Sequence, residues 1–463
     1  MNRIGGADEL GALGHLMSAD SPSRKVFIKT FGCQMNAYDS TKMGALLAKD
    51  GFEPTDDPAL ADLILVNTCS VREKPEHKLH SFLGEVKHLR AGGARIGIAG
   101  CMAQHAGEQL FKKYRRDVDL VFGPDQVPKV RSLVARAARE RVLDNRFLDQ
   151  ADYAFVADLA PVPANRSSVG AFVTIQKGCD NKCTFCIVPA TRGVELSRPA
   201  DQIVDEVRAV VQRGAREITL IGQNVNSYGL KVTAEPTFAE LLYRVAAVPG
   251  VERIRYTTSH PRDMGPDVVQ AYRDLPQLTS HLHLPVQSGS DRVLRRMKRF
   301  YTRDSYLRLV DALRSARPDL SLTTDIIVAF PGETDADFDA TMSLLDAVPF
   351  EGAFSFKYSP RPGTPALRLT DPPIDARVAS ERLTRFQARQ RVLQLDSNRA
   401  LEGQTHDVLV EGPSKWDDHV VCGRTGTFKM VNFPGPAELV GQTLPVTITR
   451  GFVNSLRGEL ASR

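Results

Sequence analysis

Between Lys25 and Pro365 short apolar runs alternate with helical stretches, and this alternation limits the fold more than any other feature of the chain. Lys25–Thr30, Leu63–Asn67, Arg95–Ala99 and Leu120–Phe122 read as strands, separated by helical segments such as Asp39–Lys49 and closed by a last helix, Val127–Glu140. A second series follows: Phe172–Gln176, Glu217–Ile221, Arg253–Thr258, His281–Val286, Thr323–Val328 and Gly352–Tyr358, with helices such as Asp201–Gln212 and Phe238–Ala247 between them. Strands that alternate with helices pair in parallel, because each helix serves as the crossover that a parallel pair needs. The first series therefore predicts an α/β domain with a parallel sheet, and the second a partial (β/α)6 barrel with its chemistry at the C-terminal ends of the strands. A long helical stretch from Ile374 to about Leu401 leads into short strand-like runs, among them His406–Val410, His419–Gly423 and Leu444–Thr449, which read as a small β-barrel. The expected organisation is a flexible tail 1–23, a first domain 24–140, a linker 141–164, a central domain 165–397 and a terminal barrel 400–463.

A hydrophobic content of 42% and a charged content of 25% suit globular domains, and no apolar run reaches membrane-spanning length. The apolar patch Leu10–Met17 is broken by Gly14 and His15 and lacks a basic flank, so no signal peptide and a cytoplasmic location are expected. The net charge of +5 permits an acidic partner without requiring one. Seven cysteines, an odd number without an export signal, point to metal or catalytic use rather than to a disulfide framework.

Three of them, Cys179, Cys183 and Cys186, lie in one loop directly after a strand. Iron–sulfur cubanes are ordinarily held by four thiolates, so a compact loop of three leaves one iron open to a bidentate small molecule. Zinc loops favour paired C-x2-C units with a fourth ligand at set spacing, which is missing here. The C-x3-C-x2-C pattern, with Phe185 before its last cysteine, resembles the signature of radical-SAM enzymes, in which S-adenosylmethionine chelates the open iron. Cys33, Cys69 and Cys101 are far apart in sequence, yet each follows one of the first three strands and precedes a helix. Ligands of open parallel sheets gather outside the strands' C-terminal ends, so these three thiols are expected to converge on a metal or cluster. Cys422 lies inside a strand-like run and reads as core.

Block after block, the chain resembles the methylthiotransferase family of radical-SAM enzymes, and within it the tRNA branch. The blocks are TFGCQMN at Thr30–Asn36, NTCSVREKPEHK at Asn67–Lys78, GCDNKCTFCIVP at Gly178–Pro189, GQNVNSYG at Gly222–Gly229, TTSHP at Thr257–Pro261, HLPVQSGSDRVLRRMKRFYTR at His283–Arg303, DIIVAFPGET at Asp325–Thr334 and FKYSPRPGTPA at Phe356–Ala366. The resemblance implies a cluster-binding first domain, a radical-SAM core and a C-terminal TRAM domain that binds RNA. It implies two 4Fe–4S clusters, with Cys33, Cys69 and Cys101 holding the one that carries the sulfur to be inserted. The implied reaction is methylthiolation of C2 of N6-isopentenyl(dimethylallyl)adenosine at position 37 of tRNA, beside the anticodon. S-adenosylmethionine serves there both as methyl donor and as radical source, and an electron donor and a sulfur source come from outside. The chain departs from the family pattern at Ala190, commonly Tyr, and at Ala329, commonly Gly, where the added methyl bears on S-adenosylmethionine binding.

Gly222, Gln223, Asn224, Ser288 and Gly289 lie in two turns after strands and are the candidate S-adenosylmethionine contacts. Arg292, Arg295, Arg296, Lys298, Arg299 and Arg303, then Arg382, Arg385, Arg389 and Arg391, are basic clusters suited to phosphate. In the tail, Arg424, Phe428 and Lys429 combine cations with an aromatic ring, as single-stranded RNA recognition requires. The same cysteines would serve a methylthiotransferase acting on threonylcarbamoyladenosine or on an aspartate of a ribosomal protein. A non-catalytic iron–sulfur RNA-binding protein is the alternative from another class.

Overall fold

The computed structural model describes residues 24–70, 73–149, 153–157, 169–232, 234–415, 417 and 419–461. The tail expected at residues 1–23 lies outside them.

Six parallel strands form the first sheet: β1 (Arg24–Phe31), β2 (Phe52–Pro54), β3 (Leu63–Thr68), β4 (Arg95–Ala99), β5 (Leu120–Phe122) and β6 (Val142–Asp144), in the order β2-β1-β3-β4-β5-β6. Every residue of β3 is buried, as a central strand covered on both faces must be. Val26, Leu65 and Ala99 face one core with Met43 and Leu47, while Phe27, Ile64, Val66 and Ile98 face the other with Leu79. The covering helices are α1 (Gln34–Ala48), α2 (Glu73–Val86), α3 (Cys101–Lys113) and α4 (Val130–Ala137). Two features correct the expectation. The last helix is shorter than Val127–Glu140, because residues 124–129 form a 3-10 turn containing Pro128. The sheet also runs past residue 140, since Val142–Asp144 pairs with β5 and so belongs to the first domain rather than to a linker.

The central region carries β7 (Gly170–Thr174), a two-residue hairpin of β8 (Gln176–Lys177) and β9 (Leu196–Ser197), then β10 (Glu217–Ile221), β11 (Arg253–Thr257), β12 (His281–His283), β13 (Ser321–Val328) and β14 (Gly352–Lys357). Its helices are α5 (Val188–Arg192), α6 (Ala200–Gln212), α7 (Phe238–Ala246), α8 (Pro266–Asp274), α9 (Asp291–Arg296), α10 (Arg303–Ala316), α11 (Asp335–Ala347) and α12 (Ala376–Arg399). Parallel pairing joins β7-β10-β11 and β12-β13-β14. The two halves meet where Ile254 N donates to Gln277 O and Thr279 N to Ile254 O, so six parallel strands make one curved wall, a partial barrel.

Five strands, β15 (Thr405–Pro413), β16 (Val420–Thr425), β17 (Met430–Pro434), β18 (Thr443–Gly451) and β19 (Leu456–Leu460), close the C-terminal barrel in the order β15-β16-β17-β19-β18. Cys422 is not core: it alternates outward between buried Val421 and Gly423 and is half-exposed. This small barrel plugs the N-terminal end of the larger one. Arg253 Nη1 donates to Arg424 O (2.6 Å), Arg255 Nη2 to Thr425 O (3.1 Å) and Ser321 Oγ to Thr427 O (2.9 Å). The Phe428 ring stacks on His281 at 4.8 Å with Arg255 and Arg424 against it, and Lys429 Nζ reaches Asn398 Oδ1 and Ser397 Oγ. Phe428 and Lys429, expected to meet RNA, therefore hold two domains together, while the Arg424 guanidinium pairs with Glu411 of its own barrel. No helix among the described residues is long and apolar enough to cross a membrane.

Candidate functional site: two cysteine sets at one domain boundary

Cys33, Cys69 and Cys101 converge at the C-terminal edge of the first sheet. Cys33 caps α1, Cys69 follows β3 directly, and Cys101 opens α3. The strand ends are tied by a buried amide pair: Asn36 Nδ2 donates to Asn67 Oδ1 (2.9 Å) and Asn67 Nδ2 to Asn36 O (2.8 Å). Gly100 has φ +94, and a Cβ there would lie 2.3 Å from Asn67 Oδ1, so only glycine lets α3 start this close. The three thiols share hydrogen bonds. Cys69 lies within hydrogen-bond reach of both neighbours, and its contact brings Cys33 down to about 6 and Cys101 to about 7, while Cys69 itself is pushed up. Two helix N-termini and the Arg192 guanidinium favour the same thiolates. Two thiols that ionise near neutrality, with a third at their side, fit the thiolate ligation that a cubane requires.

Cys179, Cys183 and Cys186 line an open cleft with Lys182, Ala190, Lys298 and Thr364. Burial pushes Cys179 up to about 11 and Cys186 to about 12, so these thiols await a cation or cluster before ionising. The loop is pinned from several sides. Cys179 N donates to Gly193 O (3.2 Å), Thr184 N to Met297 O (3.0 Å), Ala366 N to Thr184 O (2.8 Å) and Gly178 N to Gln223 Oε1. Gly178 itself has φ +72, and a Cβ there would meet Val194 O at 1.9 Å. Gly178→Ala should cost about 1–3 kcal/mol in backbone strain alone and displace the loop. Iron counting on the anaerobically purified variant should show the loss.

The nominated cofactor contacts divide. Gln223 touches the loop, and Asn224 donates through Nδ2 to Asp263 (2.7 Å) while its buried Oδ1 has no partner among the described residues. Gly222 is close-packed on Gln176, with room for no Cβ. Ser288 and Gly289 instead bond Thr341 of α11 (3.3 and 3.0 Å), and a Cβ on Gly289 would lie 2.4 Å from Ala340 O; the structure gives them a packing role. Ala329 adopts φ +58, which explains glycine as the family's usual choice there. Relief of about 1–2 kcal/mol, less about 0.4–1 kcal/mol from the freer unfolded chain, predicts that Ala329→Gly stabilises slightly, by up to about 1.6 kcal/mol, readable as a raised denaturation midpoint. Ala190 is exposed on the cleft wall.

The basic clusters prove mostly structural. Arg292 pairs with Asp337, Arg296 with Asp371, and Arg303 Nη1 donates to Ala340 O. Arg299 is buried, at 5% exposure, and points at Cys183. Arg382 is buried against Glu333 and Asp335, and Arg385 and Arg389 pair with Asp339 and Asp346. Arg295, Lys298 and Arg391 stay exposed.

What the sequence did not reveal is how the two sets are joined. Helices α3 and α5, which follow Cys101 and Cys186, pack together. Arg192, at the end of α5, donates through Nε to Cys101 Sγ at 3.3 Å and pairs with Asp39 of α1 at 2.8 Å. Lys177, just before the loop, pairs with Asp125 of the first domain (2.7 Å), and Glu206 of α6 with Lys42 of α1 (2.7 Å). All six of these side chains are at least largely buried. Such pairs fix the register between two bodies, because each charge is costly to leave unmatched.

A three-cysteine loop after the first strand of a six-stranded parallel partial barrel is the arrangement of radical S-adenosylmethionine proteins, and residues 173–345 match the Radical SAM superfamily. Residues 25–123 match the Uncharacterized protein family UPF0004, and residues 399–461 the TRAM domain. The tRNA-2-methylthio-N(6)-dimethylallyladenosine synthase of Acidovorax sp. (strain JS42) is 48% identical over 449 residues, covering 95% of this chain and 98% of the relative. That of Geobacter metallireducens is 48% identical over 438 residues, covering 94% and 98%. Among solved structures, the radical S-adenosylmethionine methyltransferase TsrM from Kitasatospora setae has the same fold in outline, with a TM-score of 0.55 at 16% identity over 74% of this chain and 75% of that one. The chain belongs to the tRNA-2-methylthio-N(6)-dimethylallyladenosine synthase family, and it is a radical-SAM methylthiotransferase that uses two 4Fe–4S clusters and S-adenosylmethionine.

Proposed function

We propose that the chain replaces the C2 hydrogen of N6-isopentenyladenosine at position 37 of tRNA, in the anticodon loop, with a methylthio group. On this reading Cys179, Cys183 and Cys186 hold one cluster and Cys33, Cys69 and Cys101 the other. The observation that supports it most is the contact from Arg192 to Cys101, which joins the helix leaving one set to a sulfur of the other. When bound, the clusters and S-adenosylmethionine supply the radical, the methyl group and the sulfur, which the C2–H bond demands because it is neither acidic nor attached to a leaving group.

The chain itself supplies binding and orientation. Gln223 braces the turn that opens the loop, and the unpartnered Asn224 Oδ1 is an acceptor for a cofactor hydroxyl or amine. The close-packed Gly222 keeps that turn tight, with Ser288 and Gly289 bracing the neighbouring strand end against α11. Lys182 and Lys298 on the cleft wall, with Arg295 nearby in sequence, are suited to the phosphates of an RNA loop whose target base is splayed out. An outside electron donor and sulfur source complete the reaction.

The test is nucleoside mass spectrometry of tRNA from a strain lacking the gene. The 2-methylthio-isopentenyladenosine peak should vanish and return on complementation. An unchanged peak, or loss of a methylthio-threonylcarbamoyl nucleoside instead, would replace this reading.

A further inference from the structure

Two buried arginines end on cysteine sulfurs, one in each set. Arg299 Nη1 donates to Cys183 Sγ at 3.2 Å, and its other donors go to Pro285 O (3.1 Å) and the Tyr301 hydroxyl (3.0 Å). Arg192 Nε donates to Cys101 Sγ at 3.3 Å. Their exposures are 5% and 6%, so neither charge is screened by water. They differ in one respect. Arg192 is neutralised by Asp39, whereas Arg299 has no carboxylate partner among the described residues. A buried guanidinium without a counter-charge is expensive, and the one anionic group within its reach is whatever forms at the Cys183 sulfur.

Hydrogen bonds to the sulfurs of a cluster, and positive charge beside it, favour the reduced form because reduction adds negative charge. We propose that Arg299 and Arg192 are positioning residues that each raise the reduction potential of their own cluster, Arg299 more strongly because its charge is unmatched. Asp39 then acts as a brake on Arg192. The inference rests on the cluster assignment proposed above.

The test is an EPR-monitored redox titration of full-length, anaerobically reconstituted protein. The Cys179→Ala/Cys183→Ala/Cys186→Ala variant isolates the signal of the second cluster. Arg299→Gln should make reduction of the Cys179 cluster at least tenfold less favourable, about 59 mV for one electron, and leave the second cluster unmoved. Arg192→Gln should lower the second cluster's potential by less and leave the first unmoved. Asp39→Asn, which unmasks Arg192, should raise the second cluster's potential, an opposite sign that general loosening of the site does not produce. If Arg299→Gln fails to hold its cluster, Arg299→Lys is titrated instead; it keeps the charge but not the planar donor, and a smaller downward shift is expected. Unmoved midpoints in cluster-bearing variants, or equal shifts at both clusters, overturn the proposal. Absence of iron from the triple-alanine variant would instead overturn the cluster assignment.

Discussion

Replacing Cys69 with alanine should give a protein that still cleaves S-adenosylmethionine but attaches no methylthio group. Cys69 is the middle thiol of the first-domain set, buried at the end of β3, and it hydrogen-bonds to both Cys33 and Cys101. Losing it removes one corner from a three-thiolate site. The Cys179 loop is anchored elsewhere, by Gly193, Gln223, Met297 and Ala366. Iron should fall to roughly half, as expected when one of two cubanes is lost. Formation of 5′-deoxyadenosine in the presence of reductant should persist, and tRNA methylthiolation should drop below detection. Full modification by this variant would remove Cys69 from the ligand set. Loss of S-adenosylmethionine cleavage along with modification would show that the two sites do not function separately.

Sequence alone located the cysteines because thiols are rare and their placement at strand ends is a pattern of neighbouring residues. Strand and helix periods likewise located the two parallel sheets. Short elements that are not wholly apolar escape: Phe52–Pro54 contains Glu53 and Pro54, and Val142–Asp144 ends on Asp144, unlike the apolar Leu120–Phe122, so pairing with β1 and β5 alone makes them strands. The partners of the arginines escape for a related reason. A run such as Arg292 to Arg303 looks like a phosphate-binding face, but its partners Asp337 and Asp371 lie 45 and 75 residues away. Phe428 and Lys429 likewise look like RNA contacts in the sequence, because nothing local indicates that His281 and Glu351 await them. Arg192 and Arg299 gain their roles only when α5 meets the first domain and the residues after α9 fold back on the loop. Local signals reveal which residue types can do chemistry, and long-range charge pairing decides which of them are free to do it.

The largest effect on stability is expected at Glu206, on α6 of the barrel. Its Oε1 accepts from Lys42 Nζ at 2.7 Å, its Oε2 from Arg198 Nη1, and both oxygens from the Tyr38 hydroxyl at 3.2 Å. Burial and this carboxylate push the Tyr38 phenol well up, so it remains a donor. Lys42 and Tyr38 belong to α1, hence one carboxylate ties the first domain to the barrel beside the ion pairs at Asp39 and Asp125. Arg198 is fully buried and Lys42 nearly so, and Glu206→Leu would leave both cations without their common counter-charge. Breaking a buried pair in this way costs roughly 3–5 kcal/mol, far more than the pair itself contributes relative to apolar packing. The loss should appear in guanidinium unfolding as an earlier first transition, read as a shift in midpoint because a chain of several domains need not unfold in two states. Adding Lys42→Met to Glu206→Leu removes one of the two cations that shared this carboxylate and should recover part of the loss, a non-additivity expected of groups in contact. Because the same carboxylate sets the register between the two cysteine sets, the single variant should lose methylthio transfer more than S-adenosylmethionine cleavage. An unfolding profile identical to that of the unmodified chain would mean that the domain boundary is held without this charge hub.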